Sequence, residues 1–296
     1  MQWSDKAPML RPQAGGGAAL LGGELVTAGG TTWENNVKLY LSDVQIYSPV
    51  HDKWRKGPPI PEGLAYGAFA ANEDSLEIFG GTTGTASSRK IWRLDAAKSK
   101  WSQEGEAPAD FIMGRAAHAL GSTFVFGGGP DAAELHRCSS AVWKRDARGQ
   151  WSQVSKIPGG AICLSAIAVA GARIYLFGGC HMPEAGKLFN NADAYEYNPA
   201  NNEWRTLRSL PAAVRGPSAV AASTGTILIF GGYGEAFSAD VWAYDIASDN
   251  YTKQEPMPAG MVGIEFVRHG SAIIGAGGED KMKSRSARTF AAQLPG

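Results

Sequence analysis

The sequence predicts an all-β fold, a single domain over residues 1–296 built as a closed six-bladed β-propeller, and three observations predict it. Glycine doublets recur at a near-constant spacing, and a tryptophan recurs late in each interval. The last interval lacks its tryptophan segment, and a matching segment stands at the N-terminus. A period near 50 residues filled with short β-type runs suits a ring of four-stranded sheets, because each sheet has faces that only its neighbours cover.

The elements of one repeat follow in order. The doublets are Gly29-Gly30, Gly80-Gly81, Gly128-Gly129, Gly178-Gly179, Gly231-Gly232 and Gly277-Gly278, 46 to 53 residues apart. Most close a run of branched and aromatic residues, as in SLEIFGG, TFVFGG, RIYLFGG and ILIFGG, so each marks a strand leaving into a tight turn. A polar loop of variable length follows. Alternating segments come next, SDVQIYS, RKIWRLD, SAVWKRD, ADAYEYN and ADVWAYD, and read as a further strand. A tryptophan then precedes a proline turn in KWRKGPPIP, KWSQEGEAP, QWSQVSKIP and EWRTLRSLP, with Tyr251 in its place in NYTKQEPMP. The sixth repeat ends on ARTFAAQ with no such segment, whereas MQWSDKAPMLRP sets Trp3 51 residues before Trp54. The N-terminal strand is therefore expected to complete the last blade beside C-terminal strands and to close the ring.

Composition narrows the function. Lysine plus arginine number 28 against 28 aspartates plus glutamates, so no net field gathers polyanions and nucleic acid is not expected as a partner. Cys138, Cys163 and Cys180 are an odd number without a CxxC pair, which gives neither a disulfide framework nor a zinc site; they are expected as small buried residues. His51, His118, His136, His181 and His269 are scattered, with no HxH or HExxH spacing, and no metal is expected. GxSxG and GxxxxGK[ST] are both missing, and no cofactor is expected. With no run of about 18 apolar residues and no leader-like start, the chain is expected to be soluble and to act away from membranes. It is expected to be cytoplasmic as it stands and periplasmic if a leader has been removed.

The spaced doublets and late tryptophans resemble kelch repeats over nearly every residue, and the resemblance implies where a site lies. In a kelch blade the loop after the doublet and the turn into the next innermost strand open on one face, around the central channel. The loops there carry Trp33, Glu34, Asn35 and Asn36; Arg89; Glu134, His136 and Arg137; His181 and Glu184; Tyr233 and Glu235; and Glu279, Lys281 and Arg285. The turns carry Arg11, Tyr66, Arg115, His118, Arg215 and Glu265. Arg115 and Arg215 each stand at the entry to an innermost strand, where a guanidinium leans toward the channel mouth or bonds loop carbonyls. The GGG at 15–17 allows an inner strand to pack close to the axis.

Three stretches are similar to bacterial N-acetylneuraminate epimerases, the sialic acid mutarotases. GGEDKMKSRS resembles that family's Gly-Glu-x-Lys-x-x-x-Arg loop, EGLAYGAFAANEDSLEIFGG its Arg-Ala-Tyr-Gly strand entry, and AGGTTWENNVKLYLSDVQIY the blade between them. Their circular order agrees if the ring closes through the termini. Met282-Lys283 stands where that family usually has Pro-Gly, its longer loops are absent here, and its members carry export leaders. The resemblance implies Glu279 and Arg285 as the functional pair, with Lys281 at the intervening lysine; Glu279 is expected as the catalytic base and Arg285 as the carboxylate anchor, and Arg115, Arg215, Glu34, Tyr66 and Lys281 are expected to contact an acidic sugar such as N-acetylneuraminate. The other reading is a protein-interaction or carbohydrate-binding module, in which Trp33, Tyr233 and Phe237 anchor a protein partner or stack on a sugar. Convergence decides: an enzyme needs Glu279 and Arg285 in a concave pocket, whereas a platform tolerates a flat charged rim.

Overall fold

Each repeat folds as one antiparallel four-stranded sheet, and six such sheets form a ring in the computed structural model, which describes residues 1–72 and 74–294. The innermost strands are Gly17–Leu21, Ala68–Ala71, Arg115–Ala119, Ala166–Ala170, Ser218–Ala221 and Glu265–His269, numbered here as blades one to six. They touch in that order, and the sixth touches the first. Their sequences are rich in small residues because they converge on the axis. At Gly17 a Cβ would lie 2.0 Å from the Phe69 ring of the next blade.

The second strands are buried on both faces, as the runs SLEIF and STFVF require. Their side chains fill the spaces between blades. Ile46 with Leu76 and Ile78 joins blades one and two, and Phe124 and Phe126 with Ile174 and Tyr197 join three and four. The outer aromatic residues add a directional tie. Trp54 donates its indole N–H to Ala7 O at 2.9 Å, Trp101 to Pro58 O at 3.0 Å and Trp204 to Ser155 Oγ at 3.0 Å. Tyr251, standing in for a tryptophan, donates its hydroxyl to Arg208 O at 2.8 Å. Each bond reaches back to the preceding blade, which explains why an aromatic donor recurs there.

Closure occurs in blade six. Trp3–Lys6 pairs antiparallel with Thr289–Gln293, in the register Trp3 to Ala292 and Lys6 to Thr289. The Trp3 ring packs against Phe230, Phe266 and Phe290 at centroid distances of 6.2, 5.9 and 6.4 Å, and its N–H donates to Glu255 O at 3.2 Å. The N-terminal strand thus supplies both the missing outer strand and the missing aromatic tie.

The doublets explain how one blade is fastened to the next. Gly277 has φ +76, and a Cβ there would lie 2.5 Å from Gln13 O, the carbonyl to which Gly278 N–H donates at 2.9 Å. In blades one, four and five the second glycine likewise bonds Leu64, Val214 and Met261 carbonyls at 2.8, 2.7 and 2.8 Å. In blade three the pair with this geometry is Gly127-Gly128, φ +64 and +81, one residue earlier than the expected Gly128-Gly129. Gly129 instead pairs with Ile112, the position filled by Thr31, Thr82, Cys180, Tyr233 and Glu279 in the other blades. A triple glycine hides the register, because only backbone conformation tells its members apart.

A second set of left-handed residues lines the channel: Gly15, Tyr66, Met113, Leu164, Gly216 and Gly263, with φ between +55 and +72. Each N–H from Tyr66 onward donates to the carbonyl of the one before, at 2.7, 2.6, 3.1, 2.7 and 2.9 Å. This belt of backbone bonds ties all six blades at the level of the turns. Near it the three free cysteines gather with Leu135, Cys163 and Cys180 being buried and Cys138 half-buried.

Replacing Trp3 by alanine is expected to destabilise the fold by about 3 kcal/mol, toward the low end for tryptophan truncation because the ring is only partly buried. Deleting residues 1–7 should lower Tm by more than this substitution does, since it also opens the sheet edge. Calorimetric melting of both variants checks the order.

Candidate functional site

The belt forms the wall of a cavity of about 230 Å³ at the mouth of the channel. Its left-handed positions are unequal. Gly15, Gly216 and Gly263 bring no side chain to the wall, where Tyr66 lies over Gly15 and Val262 over Gly216, whereas Tyr66, Met113 and Leu164 bring bulk. The charged side chains converge on this cavity: Glu279, Arg285 and Arg215 line it, and Arg115 and Glu265 line it and the cavity below.

Glu279 is held from its backbone. It forms a two-way bridge with Val262, N–H to O at 2.9 Å in both directions, so the residue after the doublet is fixed in place. Its carboxylate meets Arg285 Nη1 at 2.9 Å. Arg285 is nearly buried, 6 % exposed, and its Nε donates to Thr31 Oγ1 at 3.1 Å while Nη1 also donates to Ser284 O at 2.6 Å. Burial pushes the Glu279 carboxyl above its ordinary value, a shift that Arg285, Lys38, the Lys283 N–H and Arg215 oppose without cancelling.

Lys38 reaches the site on a hairpin, Thr31–Glu34 paired with Val37–Tyr40, turned by Asn35 and Asn36, both left-handed as a two-residue hairpin turn requires. Its ammonium lies 4.7 Å from the Tyr66 ring centre. Burial pushes the Tyr66 phenol up, but Lys38, Thr31 and Arg285 together outweigh it and the net shift is downward. The Tyr66 hydroxyl lies 3.4 Å from Thr31 Oγ1, so Tyr66, Thr31, Arg285 and Glu279 form one connected polar chain.

Arg215 donates to Asn190 Oδ1 at 2.9 Å and lies over the Tyr233 ring at 4.4 Å. Arg115 donates from Nε to the Ser165 carbonyl, the loop-carbonyl role considered for it, and it also extends Nη1 to 3.8 Å from Glu265. Glu34 is exposed and paired with Arg11 at 2.6 Å, and Lys281 is exposed; neither lines the cavity. Among the described residues no cluster of three or more His, Cys, Asp or Glu side chains could hold a metal ion.

Five of the seven expected residues therefore share one cavity. Glu265, which the sequence sets among the turns on the channel face, lines it too, and Lys38 and Thr31 contact its lining residues Tyr66 and Arg285. Aligning the repeats on their doublets singles Glu265 out further, because it and Arg115 are the charged residues in a ring otherwise made of Gly17, Ala68, Ala166 and Ser218. Lys38 gave no comparable signal, since its place depends on the hairpin's geometry.

The family profile described as the KLHDC2/KLHL20/DRC7 Kelch-repeats domain matches residues 68–278, and the Kelch motif profile matches residues 14–61. Kelch-like protein 25 of Homo sapiens is 24% identical over 273 residues, covering 88% of this chain and 44% of that protein. Kelch-like protein 25 of Xenopus tropicalis is 26% identical over 218 residues, 71% of this chain and 35% of its own length. N-acetylneuraminate epimerase of Haemophilus influenzae (strain PittEE) is 24% identical over 186 residues, 49% of this chain and 48% of its own. The chain spans less than half the length of each of these relatives.

Replacing Lys38 by methionine removes a charge that lowers both the Tyr66 and the Glu279 pKa. Both groups should then titrate at higher pH than in the parent. Carbon-13 NMR titration of labelled tyrosine and glutamate checks the direction, and unchanged titration of either group would contradict the connected network.

Proposed function

This chain belongs to the kelch-repeat family, and from that premise we propose that its channel mouth binds a small acidic sugar such as N-acetylneuraminate and exchanges its anomers. The observation that carries the reading is the convergence of Glu279 and Arg285 at 2.9 Å in a concave cavity that Arg115 and Arg215 also line. A flat charged rim would have carried no such argument. The Haemophilus influenzae relative bearing the epimerase name adds support over about half of the chain.

The chemistry follows from the geometry. Opening the ring of a 2-keto sugar acid requires a proton to leave the anomeric hydroxyl while the ring oxygen gains one, and closing on the other face reverses both transfers. Glu279 is the base, and its raised pKa brings it closer to working pH than an ordinary carboxylate. The Arg285 Nη1 is committed to Glu279 and Ser284, so the sugar carboxylate is held by its Nη2 together with Arg215, which lines the same cavity from the neighbouring blade. The uncatalysed barrier is modest, and placement with acid/base help is sufficient without a cofactor.

A second reading is favoured by a different observation. The Kelch-like protein 25 relatives cover up to 88% of this chain, against 49% for the epimerase, and Phe189 and Met282 are exposed large apolar residues. On that reading the propeller is a non-catalytic module and the same face docks a protein partner.

The two readings part on one measurement. Purified protein without added metal is expected to accelerate α to β exchange of N-acetylneuraminate in an NMR exchange experiment, and equal rates with and without folded protein would leave the interaction module. Glu279→Gln should bind the sugar nearly as well as the parent while exchange falls by about 100-fold or more, the usual worth of a positioned base. Arg285→Lys should weaken acidic sugars and spare neutral ones, because an ammonium lacks the guanidinium's paired donors.

A further inference from the structure

The proposed exchange needs a proton donor for the ring oxygen, and Glu279 cannot supply both transfers at once. Two positions below the left-handed belt the six innermost strands place Gly17, Ala68, Arg115, Ala166, Ser218 and Glu265. Four of these are small. Arg115 of blade three and Glu265 of blade six stand on opposite sides of the ring, yet their side chains meet at 3.8 Å. They cross the channel, and the small residues around them make the room. Both side chains line the mouth cavity and also the smaller cavity below it, so the pair forms the floor on which a ligand at the mouth would rest.

We infer that Glu265 is the second proton-transfer group of this site, the acid that faces the ring oxygen while Glu279 faces the anomeric hydroxyl. The inference rests on the anomer-exchange reading. Glu279 takes the hydroxyl proton as the bond from the anomeric carbon to the ring oxygen breaks. The electron pair of that bond goes to the ring oxygen, which takes its proton from the Glu265 carboxyl. Glu279 is then neutral and Glu265 anionic, with Arg115 opposite to stabilise it. After a turn about the adjacent carbon–carbon bond, the freed hydroxyl attacks the other face of the carbonyl. Its proton returns to Glu265, the carbonyl oxygen takes one from Glu279, and both groups are restored.

The geometry suits these unlike resting states. Glu279 is in a direct 2.9 Å ion pair with Arg285, which favours its anion. Glu265 has a looser 3.8 Å contact to Arg115, too long for a hydrogen bond. Its side chain keeps 34% of its surface open to the channel inside the ring of blades, and burial there pushes the carboxyl up against the smaller opposing effect of Arg115. The charged groups sharing its cavity are Arg115, Glu279, Arg285 and Arg215; the strands on either side present Gly17 and Ser218. Paired carboxyls held in different environments are the usual arrangement for an acid and a base in one site.

The test compares the parent, Glu265→Gln and Glu265→Asp by NMR exchange over a range of pH, with calorimetric binding of N-acetylneuraminate measured alongside. Glu265→Gln is expected to bind within a few-fold of the parent, to lose about 100-fold or more in kcat, and to lose the alkaline limb of the pH profile, which reports loss of the acid. Glu265→Asp keeps a proton one methylene further away and should be slower while keeping that limb; it decides the matter if the glutamine variant does not fold. A glutamine variant with the parent's rate and alkaline limb, or an aspartate variant indistinguishable from the parent, overturns the inference. A parent that binds the sugar without exchanging it overturns the anomer-exchange reading itself, and this inference with it, before any variant is needed.

Discussion

The entry to every innermost strand is a residue with left-handed backbone, and the rest of the molecule is arranged around that constraint. Five backbone hydrogen bonds link these six residues in ring order, so the blades share a common level at the channel mouth. Three positions are glycine. The other three, Tyr66, Met113 and Leu164, carry side chains in a conformation that costs about 1–2 kcal/mol each. The bulk held there has a consequence for the site: at the level of the belt, blades two to four give side chains to the cavity wall while blades five, six and one give only backbone. Tyr66 itself lies across Gly15, where a Cβ would meet the ring at 2.4 Å. The belt is thus both the fastening of the ring and the shape of its mouth.

Charge is distributed on the same plan. The post-doublet position is threonine, threonine, glycine, cysteine and tyrosine in the first five blades and glutamate in the sixth. One ring of equivalent backbone positions therefore displays a single carboxylate, fixed by the backbone bridge to Val262. The sixth blade is also the one that the N-terminal strand completes, so ring closure and the placement of Glu279 and Arg285 depend on the same sheet. Loss of the Trp3 strand would disturb the site as well as the stability of the ring.

The architecture was legible because its signals are local and repeated. Doublets, alternating strands and aromatic donors each have a backbone or packing reason, and six copies average out the accidents of any one. The single register error, at Gly127 to Gly129, arose where three identical residues left no chemical mark of which two adopt positive φ. Among the expected site residues, Glu279, Arg115, Arg215 and Tyr66 could be set at the channel mouth from their place in the repeat, and Arg285 through its resemblance; all five line the cavity. Glu34 and Lys281 lie outside the cavity because their direction is set by loop geometry: Glu34 turns to Arg11, and Lys281 faces solvent. Sequence position near a motif does not fix where a long side chain points.

The Arg285 and Glu279 pair is a poor device for stability. Taking two ions out of water costs several kcal/mol each, and their attraction returns that only when the remaining donors and acceptors are met. Here Arg285 is satisfied by Thr31 and Ser284, whereas Glu279 still has a raised pKa and faces a cavity. The arginine is therefore fastened by the fold and the carboxylate is left only partly compensated. A base in that condition can accept a proton without dismantling its surroundings, because Arg285 keeps two other acceptors when Glu279 becomes neutral. Such an arrangement is intelligible for a group that changes charge, and has no structural advantage for one that does not.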